Sequence, residues 1–151
     1  QAAAWVLQVA LQLNIPILAT EHYPQGLGPT VPGLRELLAD ASVVRKICFS
    51  AWREPQIQQT ITRLGRRQMV VIGTESHVCV LQTVFDLLAA GYQVFVVAEA
   101  VGSRTPDNKQ LALSRMQQAG CQIISREMLA FEWLERADHE SFRQISRGWI
   151  R

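Results

Sequence analysis

No stretch of the 151 residues is apolar for long enough to span a bilayer. No leader with a basic start and a small-residue cleavage site opens the chain. Cysteine is scarce. Cys48, Cys79 and Cys121 are far apart and odd in number, with no CxxC pair and no Cys/His spacing of a zinc site. That argues against a disulfide framework and points to the cytoplasm. An excess of one charge is also missing. Fifteen basic and thirteen acidic side chains leave +2, and the cations are dispersed apart from Arg66-Arg67. Such a balance gives no electrostatic case for a nucleic-acid partner, and none is expected. Linkers, repeats and low-complexity tracts are absent. What remains is ordinary for one soluble domain: 48% hydrophobic, 19% charged, and long enough to bury about two-thirds of its unfolded surface. The first residue is Gln1, and helical periodicity begins at once with no strand before it. The expectation is a single domain over 1–151 that lacks its true beginning.

The chain is organised around residues 69–80. Met69, Val70, Val71 and Ile72 read as a short buried strand, which Gly73 breaks. Thr74-Glu75-Ser76 reads as a tight polar turn. From His77 onward Leu81, Val84, Phe85 and Leu88 recur at helical spacing. Cys79 is thus expected in the first turn of a helix that follows a strand. Unpaired N–H groups and the helix dipole there favour a thiolate, the nucleophilic form. The same N–H groups suit an oxyanion. The competing reading is that Cys79 is a small buried hydrophobe.

Helices and strands alternate along the rest. Residues 2–13 read as a helix with Trp5, Val6, Val9 and Leu13 inward, ended by Asn14. Residues 15–20 follow as a strand, with Pro16 at its beginning. The stretch 21–33 holds three prolines and three glycines and reads as a loop. Its Glu21, His22 and Tyr23 either reach a site or sit on a plain surface loop. A short helix over 34–38 precedes a strand over 42–46 that ends in Lys46, a candidate site residue or a solvated surface charge. Phe49 and Trp52 beyond it suit a pocket wall. A helix over 54–64 carries Pro55 in its first turn, Ile57, Ile61 and Leu64 on one face, and Gly65 as its stop.

After the Cys79 helix comes a strand over 92–98 and then a loop over 99–106. Thr105 and Pro106 open a helix to about Ala119 with Leu111, Ala112, Met116 and Ala119 inward. A strand over 121–125 follows, with Cys121 read as plain core. Ser125 caps a helix over 126–136 with Met128, Phe131, Trp133 and Leu134 apolar. A short helix over 139–148 closes the chain with Phe142 and Ile145 on one side.

Short apolar strands joined by helical crossovers mean a mostly parallel, Rossmann-like sheet covered on both faces. Sites in such sheets lie beyond the carboxyl ends of the strands. Lys46, Cys79 and the loops opening at Glu21 and Glu99 all follow strand ends, so they gather on one edge.

The run GTESHVCVLQTVFDLLAAGYQVFVVAEAVGSRTPDNKQLALSRMQQAGC resembles the isochorismatase-like hydrolase superfamily. So do TEHYPQGLGPTVPGL and VVRKICFSAW, closest to its uncharacterised isochorismatase-domain branch. The resemblance implies a three-layer α/β/α sandwich with six parallel strands. It implies a catalytic cysteine, matched by Cys79, and a lysine, matched by Lys46. It also implies an aspartate on a central first strand, which nothing here matches. That first strand would be missing, and its loss would open the core. A non-proline cis peptide after the strand glycine falls at Thr74–Glu75, where it would aim N–H groups at the oxyanion. His22, Tyr23, Phe49, Trp52 and His77 are possible pocket residues.

No cofactor is implied. Nicotinamidases of the superfamily hold a metal through an aspartate and two histidines, whereas the matching loop here offers only Glu21 and His22, so no metal is expected. The function so implied is hydrolysis of a C–N bond of a small amide-like molecule. Alternatives are an inactive binding or assembly module of the same fold, or a redox-responsive thiol protein using Cys79 and perhaps Cys48. A homo-oligomer is expected, with Tyr92, Trp133 and Trp149 supplying contacts.

Overall fold

Val94 and Val96 face one side of their strand while Phe95 and Val97 face the other, and the fold follows from that alternation. A strand buried on both faces needs helices above and below it. In the computed structural model, which describes residues 1–150, β4 spans Gln93–Gly102. Arg151 lies outside the described residues. On one face pack α4 (Pro55–Leu64), α5 (Leu81–Ala89) and α6 (Pro106–Gln118), through Ile57, Ile61, Val84, Leu87, Ala112 and Met116. On the other pack α1 (Ala2–Gln12), α7 (Arg126–Leu134) and α8 (Phe142–Ile145), through Trp5, Val9, Leu129, Ala130 and Ile145. The result is an α/β/α sandwich.

All strand pairs are parallel. β1 (Ala19–His22) pairs with β2 (Val43–Lys46), and β3 (Gln68–Thr74) with β4, which pairs with β5 (Gln122–Ile124). The six-stranded sheet implied by the resemblance is replaced by two sheets, one of two strands and one of three. Among the described residues no strand bridges β1 and β3.

Element boundaries moved where pairing overrode local pattern. The strand expected over 15–20 begins at Ala19, opposite Val43, and runs on through Glu21 and His22. Ile15 N–H instead closes α1 on the Ala10 carbonyl, and Pro16 has no N–H to give a ladder. The loop over 21–33 contains two short helices, α2 (Pro24–Leu27) and α3 (Pro32–Arg35). Gly73 does not end β3. Val71 faces Val96 and Gly73 faces Val101, so β4 bulges between them and both strands continue to Thr74 and Gly102. Gly73 has φ of 123°, a conformation that glycine alone adopts without strain. Glu99 is therefore a strand residue, not a loop residue.

Caps and stops fell where the sequence put them. Asn14 and Gly65 adopt positive φ at the ends of α1 and α4. Thr105 Oγ1 accepts from Asn108 N–H, and Ser125 Oγ from Met128 N–H. Some apolar positions did not turn inward. Leu64, Leu111, Met128 and Phe131 are exposed, because each lies off the stripe that meets the sheet. The aromatics expected at a subunit interface are packed on their own chain. Tyr92 meets Trp52 edge-on at 5.5 Å, Trp133 of α7 is partly buried against the cluster formed by α1, α7 and α8, and the Trp149 carbonyl accepts from Trp5 Nε1.

Candidate functional site at the carboxyl edge of the strands

β2 ends at Lys46, and the chain then turns back so that its own carbonyls meet the side chain. Lys46 is 7% exposed. Its ammonium donates to the carbonyls of Cys48 (3.0 Å) and Phe49 (2.9 Å) and contacts Nδ1 of His22 (3.1 Å) across the β1–β2 pair. A lysine has three N–H donors, and all three are used. Among the described residues no carboxylate lies within ion-pair distance of it. The solvated surface charge that a strand-end lysine usually represents is thus excluded.

The loop after Lys46 is held from outside by Glu54. One oxygen of its carboxylate accepts from Ile47 N–H (2.7 Å) and Cys48 N–H (2.8 Å). Those two N–H bonds carry the Glu54 carboxyl below its ordinary range. Burial first, then the Glu54 hydrogen bond and charge, push the Cys48 thiol up. Phe49 stacks on His22 with ring centroids 5.3 Å apart. Ser50 is sealed from solvent, and its Oγ has no partner among the described residues.

The same loop is tied to the cysteine helix. Ala51 N–H donates to Thr83 Oγ1 (2.9 Å), and Arg53 Nε donates to Asp86 Oδ2 (2.9 Å). Thr83 lies about one helical turn beyond Cys79. Cys79 itself does not sit in the first turn of an α-helix. Ser76–Val80 is a π-helical turn, with Val80 N–H reaching the Glu75 carbonyl, and it runs straight into α5. Such turns recur at functional sites. Cys79 is half-buried, and its sulfur takes no hydrogen bond among the described residues.

The Thr74–Glu75 peptide is cis. Beyond it the turn is fastened to the end of β4. Ser76 Oγ donates to the Gly102 carbonyl (2.8 Å), and His77 Nδ1 lies 2.9 Å from Ser103 Oγ. Glu75 Oε2 accepts from both the backbone N–H and Nε of Arg104, each at 3.2 Å. Burial pulls the Glu75 carboxyl up, but the Arg104 hydrogen bonds and charge, helped by His77, carry it below its ordinary value. His77 Nδ1 is also 3.5 Å from Glu75 Oε2. Ser103 and Glu75 thus meet the same ring nitrogen, so the three do not form a Ser-His-acid relay, which needs one group on each nitrogen.

The other expected residues lie as follows. Tyr23 is half-exposed in a left-handed conformation, and its ring lies over Gly26, where a Cβ would sit 2.2 Å from Cε1. Glu21 turns into its own loop. It accepts from Thr30 N–H (2.9 Å) and closes the loop, and that bond lowers its pKa. Trp52 packs on Tyr92 and lines a surface groove of ≈ 280 Å³ with Gln58, Gln59, Thr62 and Arg63. A second groove of ≈ 420 Å³ is lined by Phe85, Leu88, Ala89 and Ala119. Neither contains Cys79, Lys46 or His22. No group of three or more His, Cys, Asp or Glu gathers as a metal site among the described residues. Glu54 was missed as a site-building residue, and Ser103 and Arg104 were placed only as part of the loop over 99–106 that follows a strand end.

Comparison with known proteins agrees with this geometry. The isochorismatase domain model matches residues 1–128. Isochorismatase domain-containing protein 2B of Mus musculus is 42% identical over 147 residues, covering 96% of this chain and 68% of that protein. The structure of the MAR1 ribonuclease of Caenorhabditis elegans superposes with a TM-score of 0.91 at 34% identity, over 99% of this chain and 77% of that one. YcaC from Pseudomonas aeruginosa, solved with hexane-2,5-diol and covalent acrylamide, gives a TM-score of 0.91 at 27% identity, over 99% and 76%. With its parallel α/β/α architecture, the domain model matched over most of its length and these relatives, the chain belongs to the isochorismatase-like cysteine-hydrolase superfamily.

Proposed function

We propose that this chain hydrolyses a C–N bond of a small amide-like substrate, with Cys79 as the nucleophile. One observation carries the reading. Lys46 is a buried cation with only neutral acceptors, at the head of a loop that Ala51 and Thr83 tie to α5, the helix into which the Cys79 turn runs. A buried charge is retained only where something answers it. An anion at this edge, the thiolate or a carboxylate base, answers it.

In the mechanism, the Cys79 thiol gives its proton to a general base and its sulfur adds to the carbonyl carbon. Backbone N–H groups of the turn after Thr74–Glu75 hold the resulting oxyanion. The C–N bond then breaks, and the amine leaves with the proton. Water adds to the thioester, the C–S bond breaks, and a carboxylic acid and the free thiol result. Lys46 stabilises the anionic partners of the cycle without itself bonding to carbon. The base that the resemblance implies is an aspartate, and no residue of this chain matches it.

The covalent acrylamide on the YcaC relative supports a nucleophile in this fold. Cytoplasmic placement and a symmetric homo-oligomer belong to the same reading. The experiment is ammonia release from a panel of small primary amides. Cys79→Ala is expected to lower it on the order of 10³-fold or more, with the circular dichroism spectrum retained. Retained release in that variant rejects the nucleophile. Cleavage of RNA by the same preparation, with no amide turned over, favours the chemistry for which the Caenorhabditis elegans relative is named. No turnover of either favours a binding module.

A further inference from the structure

His22 has no role in the mechanism above, yet this half-buried ring is held on two sides. The Lys46 ammonium has only donors, so the atom it meets on His22 must accept. Nδ1 therefore carries the lone pair, and the proton is on Nε2. The ring plane is held by Phe49 stacked on it. Phe49 is itself placed by its carbonyl, which accepts from the same ammonium. Nε2–H makes no hydrogen bond among the described residues and is not sealed from solvent. The structure thus holds one tautomer in one orientation, with a single donor left open beside the loop that abuts the cysteine helix.

We propose that His22 is a substrate-binding residue whose Nε2–H donates to a carbonyl oxygen of the substrate, with Lys46 fixing the tautomer and Phe49 the ring. This rests on the amide-hydrolase reading and narrows it, since the ligand must present an acceptor oxygen to a neutral donor. A fixed donor orients the acyl group before attack without the cost of ordering a free side chain. Apolar Phe49 beside it favours a small, weakly polar remainder.

The test separates this role from that of Lys46 and from the cysteine assignment. Asparagine in place of His22 offers an acceptor where Nδ1 lies but no donor where Nε2 lies. Glutamine offers the reverse. Alkylation of Cys79 is timed by peptide mass with iodoacetamide, which carries a carbonyl, and with iodoethane, which does not. The iodoethane rate reads the sulfur alone, so failure of the cysteine reading shows as inertness to both reagents. The ratio of the two rates reads the carbonyl contact. We expect His22→Asn to lower that ratio roughly three- to tenfold, the effect of one hydrogen bond, and His22→Gln to restore most of it. An unchanged ratio in His22→Asn, or a greater loss in His22→Gln, overturns the proposal and makes His22 a support for Lys46 only.

A second readout needs no reaction. The chain has three histidines, so the imidazole ¹⁵N spectrum is simple, and His22→Asn assigns the His22 signals. The expected spectrum has Nδ1 unprotonated and Nε2 protonated, loses that preference in Lys46→Met, and shows a shifted Nε2 resonance on titration with acetamide. Protonated Nδ1, or no response to acetamide, overturns the proposal even where Cys79 proves inert.

Discussion

Lys46→Met removes the charge at the centre of the site while keeping the stem that fills its space. Three hydrogen bonds are lost, at 3.1, 3.0 and 2.9 Å. Bonds from a charged donor contribute about 1.5–3 kcal/mol each, so about 4.5–9 kcal/mol in all. Against that stands the relief of a buried ammonium, which costs several kcal/mol. The carbonyls of Cys48 and Phe49 lie in a loop that is only partly buried, so water recovers part of their bonding. The balance is a loss of roughly 1–4 kcal/mol. The assay is urea unfolding followed by circular dichroism, with the slope unchanged and the midpoint lowered by roughly 1 M. A midpoint equal to or above that of the parent would refute the reasoning. It would show that ammonium burial costs as much as its three bonds return, and that the loop geometry does not depend on them. Lys46→Ala must fall lower still, since it adds a cavity to the same loss.

Acid titration offers a second check. Glu21, Glu54 and Glu75 all have depressed pKa values in the folded chain. Their stabilisation is complete above the unfolded carboxylate value of about 4.3 and is lost as pH falls through their folded values. The melting temperature should therefore drop below about pH 4.3, and Glu54→Gln should flatten that drop; parallel curves would count against the Glu54 bonds. Leu87→Ala, at a side chain 1% exposed in the α5 core, should cost about 2–5 kcal/mol in urea unfolding with alkylation of Cys79 still measurable. Thr105→Ala should cost about 1 kcal/mol by removing the cap on Asn108 N–H, and no measurable loss would mean that water replaces it. Alanine at Gly26 should displace the Tyr23 ring, readable as a change in near-UV circular dichroism.

Local chemistry alone settled much of this molecule. Helical periodicity placed α1, α4, α6 and α7, and Asn14, Gly65, Thr105 and Ser125 each marked one end of them, because caps and left-handed stops act within one turn of chain. The apolar runs gave the strands, and parallel crossovers put Lys46 and Cys79 on one edge. Pairing between distant segments decided the rest. Whether β1 began at Ile15 or Ala19 depended on where Val43 lay, and whether Glu99 was strand or loop depended on a bulge opposite Gly73. No periodicity encodes a register.

The same holds for the site. The sequence named Lys46, Cys79, Glu75 and His22 as residue types suited to chemistry. Burial of Lys46, its three acceptors and the tautomer forced on His22 arise only when β1 lies beside β2 and the chain turns back after Lys46. The Arg104–Glu75 contact, 29 residues apart, entered for the same reason, and Glu54 reaches the N–H groups of Ile47 and Cys48 only because the chain doubles back after Lys46. The residues themselves determine which groups the chain owns and which local turns it makes; only the tertiary fold decided which of them lie together, and burial is what turns the strand-end Lys46 from a solvated charge into one held by three acceptors.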